Sequence, residues 1–297
     1  MEIRKRIFTN LGISQDGRAF MRKSSGSEMD PIDFDDAYAN GKYIDGAETY
    51  PPKWAAAAKA FRDRLTRQNR AQLDVPYGPT ERERLDLFLP DSPPKGLMVF
   101  VHGGYWRAFD KSSWSHLASG SLAHGLAVAM PSYTLAPEAR IRDITQQIRA
   151  AIDCAAGMVA GPLSLSGHSA GGQLVTRMLC QDLAWTNCFS ERIAKIVSIS
   201  GVHDLRPLLE TEMNDDLRLD ADEATEESPL LRQDILPVPV VTWVGSEERP
   251  VFIQQSQWLA RDWANARFVS DPGKHHFNVI DGLGDADSAL VAALLPD

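Results

Sequence analysis

Gly167-His168-Ser169-Ala170-Gly171 matches G-x-S-x-G, the pattern of a serine raised on a sharp strand-to-helix turn. The apolar run "GPLSLSG" leading into it reads as a strand, and "AGGQLVTRMLCQD" leaving it reads as a helix. Such a turn is tight enough that the positions two before and two after the serine exclude bulk, hence the glycines. A serine hydroxyl is a weak nucleophile at neutral pH, so it works with a base, and the base with an orienting carboxylate. Ser169 is therefore the candidate nucleophile for attack on a carbonyl carbon. The bland alternative is an ordinary serine-glycine turn joining a strand to a helix.

In folds that present a serine this way, the order along the chain is nucleophile, acid, base. Of seven histidines, His102 and His168 lie inside motifs, His116 and His124 precede Ser169, and His203 follows it too closely. "GKHHFNVID" remains, with His275 and His276 beyond the last expected strand. The acid belongs on the loop after the preceding strand, in "VVTWVGSEERP", where Glu247 and Glu248 sit. Asp204 comes one strand too early, and Asp271 is too close in sequence to the histidines. Spacing alone leaves both adjacent pairs open.

Attack on a carbonyl builds negative charge on its oxygen, and backbone N–H groups aimed at that oxygen stabilise it. Losing one such donor typically costs about 3–4 kcal/mol. Ala170, directly after the serine, supplies one N–H. The second source is the loop after an early strand, "VFVHGGYWRAF" (Val99–Phe109), with Gly104 and Tyr105 as donors. Glycine lets that backbone approach the oxygen closely, and His102 reads as a brace for the loop. Tyr105, Trp106 and His168 are the expected walls of the substrate pocket, with core filling an equal alternative for Trp106.

The elements that must position these residues follow an alternating pattern. "ERERLDLFLP" alternates at Leu85, Leu87 and Leu89 like a half-buried strand, and "GLMVFVH" and "GLAVAMPSY" are short continuous apolar runs. Helices are expected at "PPKWAAAAKAFRDRLTRQ", "RDITQQIRAAIDCAA", "PVFIQQSQWLARDWA" and "DADSALVAALL", and later strands at "AKIVSISGV", "PVVTWVG" and "ARFVS". Strands alternating with helices give an α/β fold with a mostly parallel sheet flanked by helices. Residues 34–297 read as one catalytic domain, and the polar residues 1–33 as a flexible N-terminal extension. The acidic stretch 204–235 interrupts the rhythm. It is either a solvated excursion or a small cap over the C-terminal edge of the sheet, where open α/β sheets bind ligands.

The chain has 297 residues, 43% of them hydrophobic, enough for one large core. A net charge of −9 with no basic stripe argues against nucleic acid as a partner. No apolar run approaches the roughly 20 residues that span a bilayer, and the N-terminus lacks the apolar centre of a signal peptide. A cytoplasmic location is expected, with no membrane partner. Cys154, Cys180 and Cys188 are too few and wrongly spaced for a disulfide framework or a zinc site. No metal or other cofactor is expected, and the oligomeric state is open, a homodimer included.

From about Asp35 to the C-terminus the chain resembles α/β-hydrolases related to hormone-sensitive-lipase-like esterases. That branch commonly carries His-Gly-Gly-Gly where this chain has Tyr105 in place of the third glycine. "HGGYW", "GHSAGG", "SGVHDLRPL" and "HHFNVI", in that order, resemble the arylformamidases (kynurenine formamidases), which hydrolyse N-formylkynurenine to kynurenine and formate without a metal. The resemblance implies a serine hydrolase with an acyl-enzyme. It selects His276, immediately before Phe, over His275, and Glu248, just before the Pro-x-Phe helix start, over Glu247. The family more often has Asp there. The expected triad is Ser169, Glu248 and His276, acting on a small formamide or ester. Alternatives are a general short-chain carboxylesterase and, from another class, a non-catalytic binding protein on a hydrolase fold.

Overall fold

In the computed structural model, which describes residues 32–185 and 188–296, eight strands form one sheet. They are β1 (Ala71–Pro76), β2 (Arg84–Phe88), β3 (Gly96–Val101), β4 (Leu126–Pro131), β5 (Leu163–His168), β6 (Ile193–Ile199), β7 (Val240–Gly245) and β8 (Ala266–Asp271). Their order across the sheet is β1-β2-β4-β3-β5-β6-β7-β8. β1 and β2 run antiparallel to their neighbours, and all pairings from β4 to β8 are parallel. The expected extension 1–33 lies almost wholly outside the described residues, as does the side chain of Cys188.

Four helices of eight residues or more among the described residues flank the sheet: α1 (Tyr50–Arg67), α2 (Ile141–Met158), α3 (Ala170–Arg177) and α4 (Pro250–Asp262). β3 shows why its run is apolar throughout. Leu97, Val99 and Val101 pack on the face covered by Ile144, Ile148 and Phe252, while Met98 and Phe100 face Trp54, Phe61 and Leu65 of α1. A strand covered on both faces has no solvated side on which to alternate. α1 starts at a proline-containing first turn, and its Trp54, Ala58, Phe61 and Leu65 recur at helical spacing on the buried side.

One strand was missed in the sequence, and one expected helix changed. β1 has no clear period-two pattern, because a register shift between Gln72 and Val75 and the left-handed Asp74 (φ 56°) interrupt its pairing with β2. The helix expected over 285–295 shortens to Ala289–Ala292, since Ser288 caps it by accepting from the Val291 N–H.

Parallel order brings the C-terminal ends of β3, β5, β7 and β8 to one edge, where ligands of open α/β sheets bind. The loops after those four strands carry His102–Trp106, Ser169, Glu248 and His276 respectively.

Candidate active site

Ser169 occupies the turn between β5 and α3 with φ 55° and ψ −118°, a conformation that L-residues rarely adopt. Close backbone packing holds it there. A Cβ on Gly171 would lie 2.0 Å from the Val101 carbonyl oxygen, and one on Gly167 would lie 2.1 Å from the Gly171 oxygen. The Ser169 N–H donates to the Ile199 carbonyl at 2.8 Å, tying the turn to the end of β6. Ser169 thus stands at the N-terminus of α3, where the helix dipole favours negative charge.

His276 Nδ1 lies 2.6 Å from Glu248 Oε2, and both residues are buried. The other oxygen of Glu248 accepts from the Ser200 hydroxyl at 2.5 Å and from the Gly245 N–H at 2.9 Å. The carboxylate is thereby aimed at Nδ1, so Nε2 is the ring nitrogen of His276 that does not face it. Within the two adjacent pairs the environments differ sharply. Glu247 is exposed, whereas Glu248 is buried. His275 accepts from the Phe277 N–H on Nδ1 at 3.2 Å and bonds the Tyr50 hydroxyl through Nε2 at 3.1 Å, so both its ring nitrogens are occupied. Asp204 is bound by Arg206, and Asp271 accepts from the Trp243 indole; neither touches His276.

His168 bonds the His276 carbonyl oxygen through Nε2 at 2.9 Å and so must be the donor. Its own pKa is held well below the ordinary value, chiefly by burial and then by the neighbouring His276, which keeps it neutral in this role. His102 stacks on Tyr133 with ring centres 4.4 Å apart, and burial pulls its pKa down to about 4. It braces the loop without titrating near neutrality.

The backbone of the loop after β3 is strained. Gly104 has φ 112°, and Tyr105 and Trp106 follow in the left-handed region at 51° and 56°. That conformation costs a non-glycine residue about 1–2 kcal/mol, and the two side chains hold it. The Trp106 indole is fully buried and donates to Gln173 Oε1 at 3.2 Å. The Tyr105 hydroxyl donates to the Tyr38 carbonyl at 2.7 Å. The N–H groups of Gly104, Tyr105 and Ala170 donate to no protein atom among the described residues. Gly103 is a further loop residue at the site: a Cβ there would meet Ser169 Cβ at 2.9 Å.

Ser169, His168, His276, Gly103, Gly104 and Tyr105 line one cavity of about 1090 Å³. Trp106, expected as a wall, does not line it. Its indole is fully buried in the core, which was the equal alternative for this residue. Two groups of lining residues carry no motif: Tyr38 to Lys42 near the start of the described chain, and Glu212, Met213, Asp215 and Asp216 from the acidic stretch. Their places depend on tertiary contacts far apart in sequence, which spacing does not reveal. Among the described residues no group of three metal-ligating side chains comes together.

Residues 98–244 match the family model for the α/β-hydrolase fold. The kynurenine formamidase of Danio rerio is 30% identical over 254 residues, 81% of this chain and 86% of that protein. The chain belongs to the α/β-hydrolase superfamily, in the branch that holds these formamidases. A crystal structure from a Silicibacter species, described as a thioesterase candidate, is 54% identical with a TM-score of 0.86, covering 89% of this hydrolase and 99% of that chain. A carbohydrate esterase from gut microbiota shares the fold at 20% identity and a TM-score of 0.59, over 74% of this chain and 92% of its own. These relationships make the protein a hydrolase and remove the reading of a non-catalytic binding protein. No helix among the described residues is long and apolar enough to cross a membrane.

Proposed function

We propose that the protein is a serine hydrolase that cleaves a small formyl amide of an aromatic amine, as the formamidases do, with Ser169, His276 and Glu248 as its triad. The observation that carries this is the buried Glu248–His276 pair at 2.6 Å, with His276 and Ser169 on the wall of the same cavity. His276 Nε2 takes the proton of the Ser169 hydroxyl as its oxygen bonds to the formyl carbon, and Glu248 holds the resulting imidazolium. The N–H groups of Gly104, Tyr105 and Ala170 receive the charge on the carbonyl oxygen. The tetrahedral intermediate collapses, the C–N bond breaks, and the leaving amine takes the proton from His276. Water then loses a proton to His276 and attacks the formyl ester, releasing formate and restoring Ser169.

A second reading, hydrolysis of short-chain esters or thioesters, is favoured by the 54% identical relative described as a thioesterase candidate. Comparing kcat/KM for N-formylkynurenine with that for nitrophenyl acetate separates the two. The formamidase reading expects the formamide to be preferred, and ester turnover with no formamide hydrolysis overturns it. Labelling by a fluorophosphonate, lost in Ser169→Ala, tests the nucleophile itself. A cytoplasmic location is part of the proposal, and the free thiols of Cys154 and Cys180 fit a reducing compartment.

A further inference from the structure

Tyr105 lines the cavity, yet its hydroxyl is engaged by the protein itself. It is held from two sides by a segment 65 to 67 residues earlier in the chain, donating to the Tyr38 carbonyl at 2.7 Å and accepting from Asn40 Nδ2 at 3.2 Å. Because the single phenolic proton goes to Tyr38, the oxygen can only accept from Asn40. That assigns the amide NH2 of Asn40 to Tyr105 and leaves Asn40 Oδ1 facing away.

That second amide atom is buried with no hydrogen-bond partner among the described residues. A buried acceptor left unpaired works against stability, and an apolar residue of the same shape avoids the loss. Asn40 is therefore a poor choice for holding the fold together. It is a good one for fixing where the phenol sits.

The segment that carries it is itself anchored at both ends. Gln255 Nε2 donates to the Tyr38 hydroxyl at 3.0 Å, and Oε1 of the same amide accepts from the His203 and Asp204 N–H groups at 2.6 Å. Arg249, next to Glu248, donates to the Asp36 carbonyl at 3.1 Å and its carboxylate at 2.8 Å, and stacks 3.7 Å over the Tyr43 ring.

We propose that Asn40 and the Tyr105 hydroxyl form a positioning clamp, which holds the left-handed backbone of Tyr105 so that the Gly104 and Tyr105 N–H groups stay aimed at the oxyanion. This rests on the reading of Ser169 as the nucleophile. Neither clamp atom is assigned a contact with the reacting carbonyl. Both act through the loop, so their removal weakens stabilisation of the transition state and leaves ground-state binding alone.

Tyr105→Phe keeps the ring and the backbone N–H and removes only the hydroxyl. Asn40→Leu keeps the shape and removes the donor. For each, kcat and KM on nitrophenyl acetate, the rate of fluorophosphonate labelling and the thermal midpoint are measured. The expected result is a parallel fall in kcat and labelling rate of about tenfold, short of the 10²–10³ for outright loss of a donor. KM stays within about twofold, and the midpoint of Asn40→Leu is unchanged or higher. Wild-type protein that labels, with both variants labelling at the wild-type rate, overturns the clamp alone. A rise in KM at constant kcat also overturns it, since that marks direct substrate binding. Wild-type protein that does not label at Ser169 overturns the nucleophile reading and the clamp with it.

Discussion

The turn at Ser169 and the acidic stretch 204–235 meet at the same cavity but are held in place by different forces. The turn depends on backbone approaching backbone: no Cβ fits at Gly171 without meeting the Val101 carbonyl at 2.0 Å. The acidic stretch depends on arginines reaching out from the sheet domain. Arg140 binds Asp220 and Glu223, Arg142 binds Glu223, and buried Arg177 binds both Glu227 and Asp182. Steric locks of the first kind tolerate almost no change of side chain. Ionic anchors of the second kind tolerate much at the surface and little where the pair is buried.

The sharpest way to sharpen this contrast lies beside the turn. His276→Ala removes the proposed base and is expected to lower kcat by about 10⁴-fold or more, because triad members act as a unit. His275→Ala removes a bond to Tyr50 and to the Phe277 N–H, so its effect on kcat is expected to stay within about tenfold, from loss of support for the loop. Steady-state kinetics of the two variants side by side provide the measurement. A larger loss in His275→Ala would mean that the neighbouring ring is the base.

A middle-sized effect probes the anchors. In Glu227→Gln the Arg177 guanidinium keeps Asp182 but loses its buried partner, and a cost of about 3 kcal/mol is expected, the low end for breaking a buried pair. Denaturant unfolding measures it. The two regions also share one route of contact, since Gln173 accepts from the Trp106 indole and donates to the Glu227 backbone carbonyl. That route uses the backbone at 227, which the substitution leaves in place. Ser169 labelling of the folded variant is therefore expected within about twofold of wild type. Labelling that falls along with stability would show the acidic stretch setting the geometry of the turn.

The same contrast explains how much was legible in the sequence. The glycines around Ser169 and in the loop after β3 are local devices, readable because steric exclusion acts over a few residues. The parallel α/β architecture was readable for a related reason, since strands buried on both faces and helices buried on one carry different periods. Between Glu247 and Glu248 spacing could not choose, because one is exposed and the other is buried against Ser200, Gly245 and His276, and only the fold separates them. Trp106 looked like a pocket wall because its neighbour is one. Both residues are left-handed, but Tyr105 lines the cavity whereas Trp106 is fully buried in the core. Asn40 bore no signal at all: its partner lies 65 residues away, and a lone asparagine in a polar stretch resembles any other.

The smallest expected effect tests a salt bridge between the acidic stretch and the loop after β3, which borders the Ser169 turn. Arg107, on the loop after β3, donates to Asp216 of the acidic stretch at 2.7 Å, and both line the cavity. The side chains are 36% and 50% exposed, so water and salt screen the pair and its contribution is expected below about 1 kcal/mol. Arg107→Ala should therefore leave the unfolding midpoint nearly unchanged. It should alter kcat/KM by no more than about threefold, with the difference shrinking as ionic strength rises towards 0.15 M and the Debye length falls to about 8 Å. A loss above tenfold at that ionic strength would show that Arg107 touches substrate. The turn and the acidic stretch would then form one binding surface, rather than two regions that merely border the same cavity.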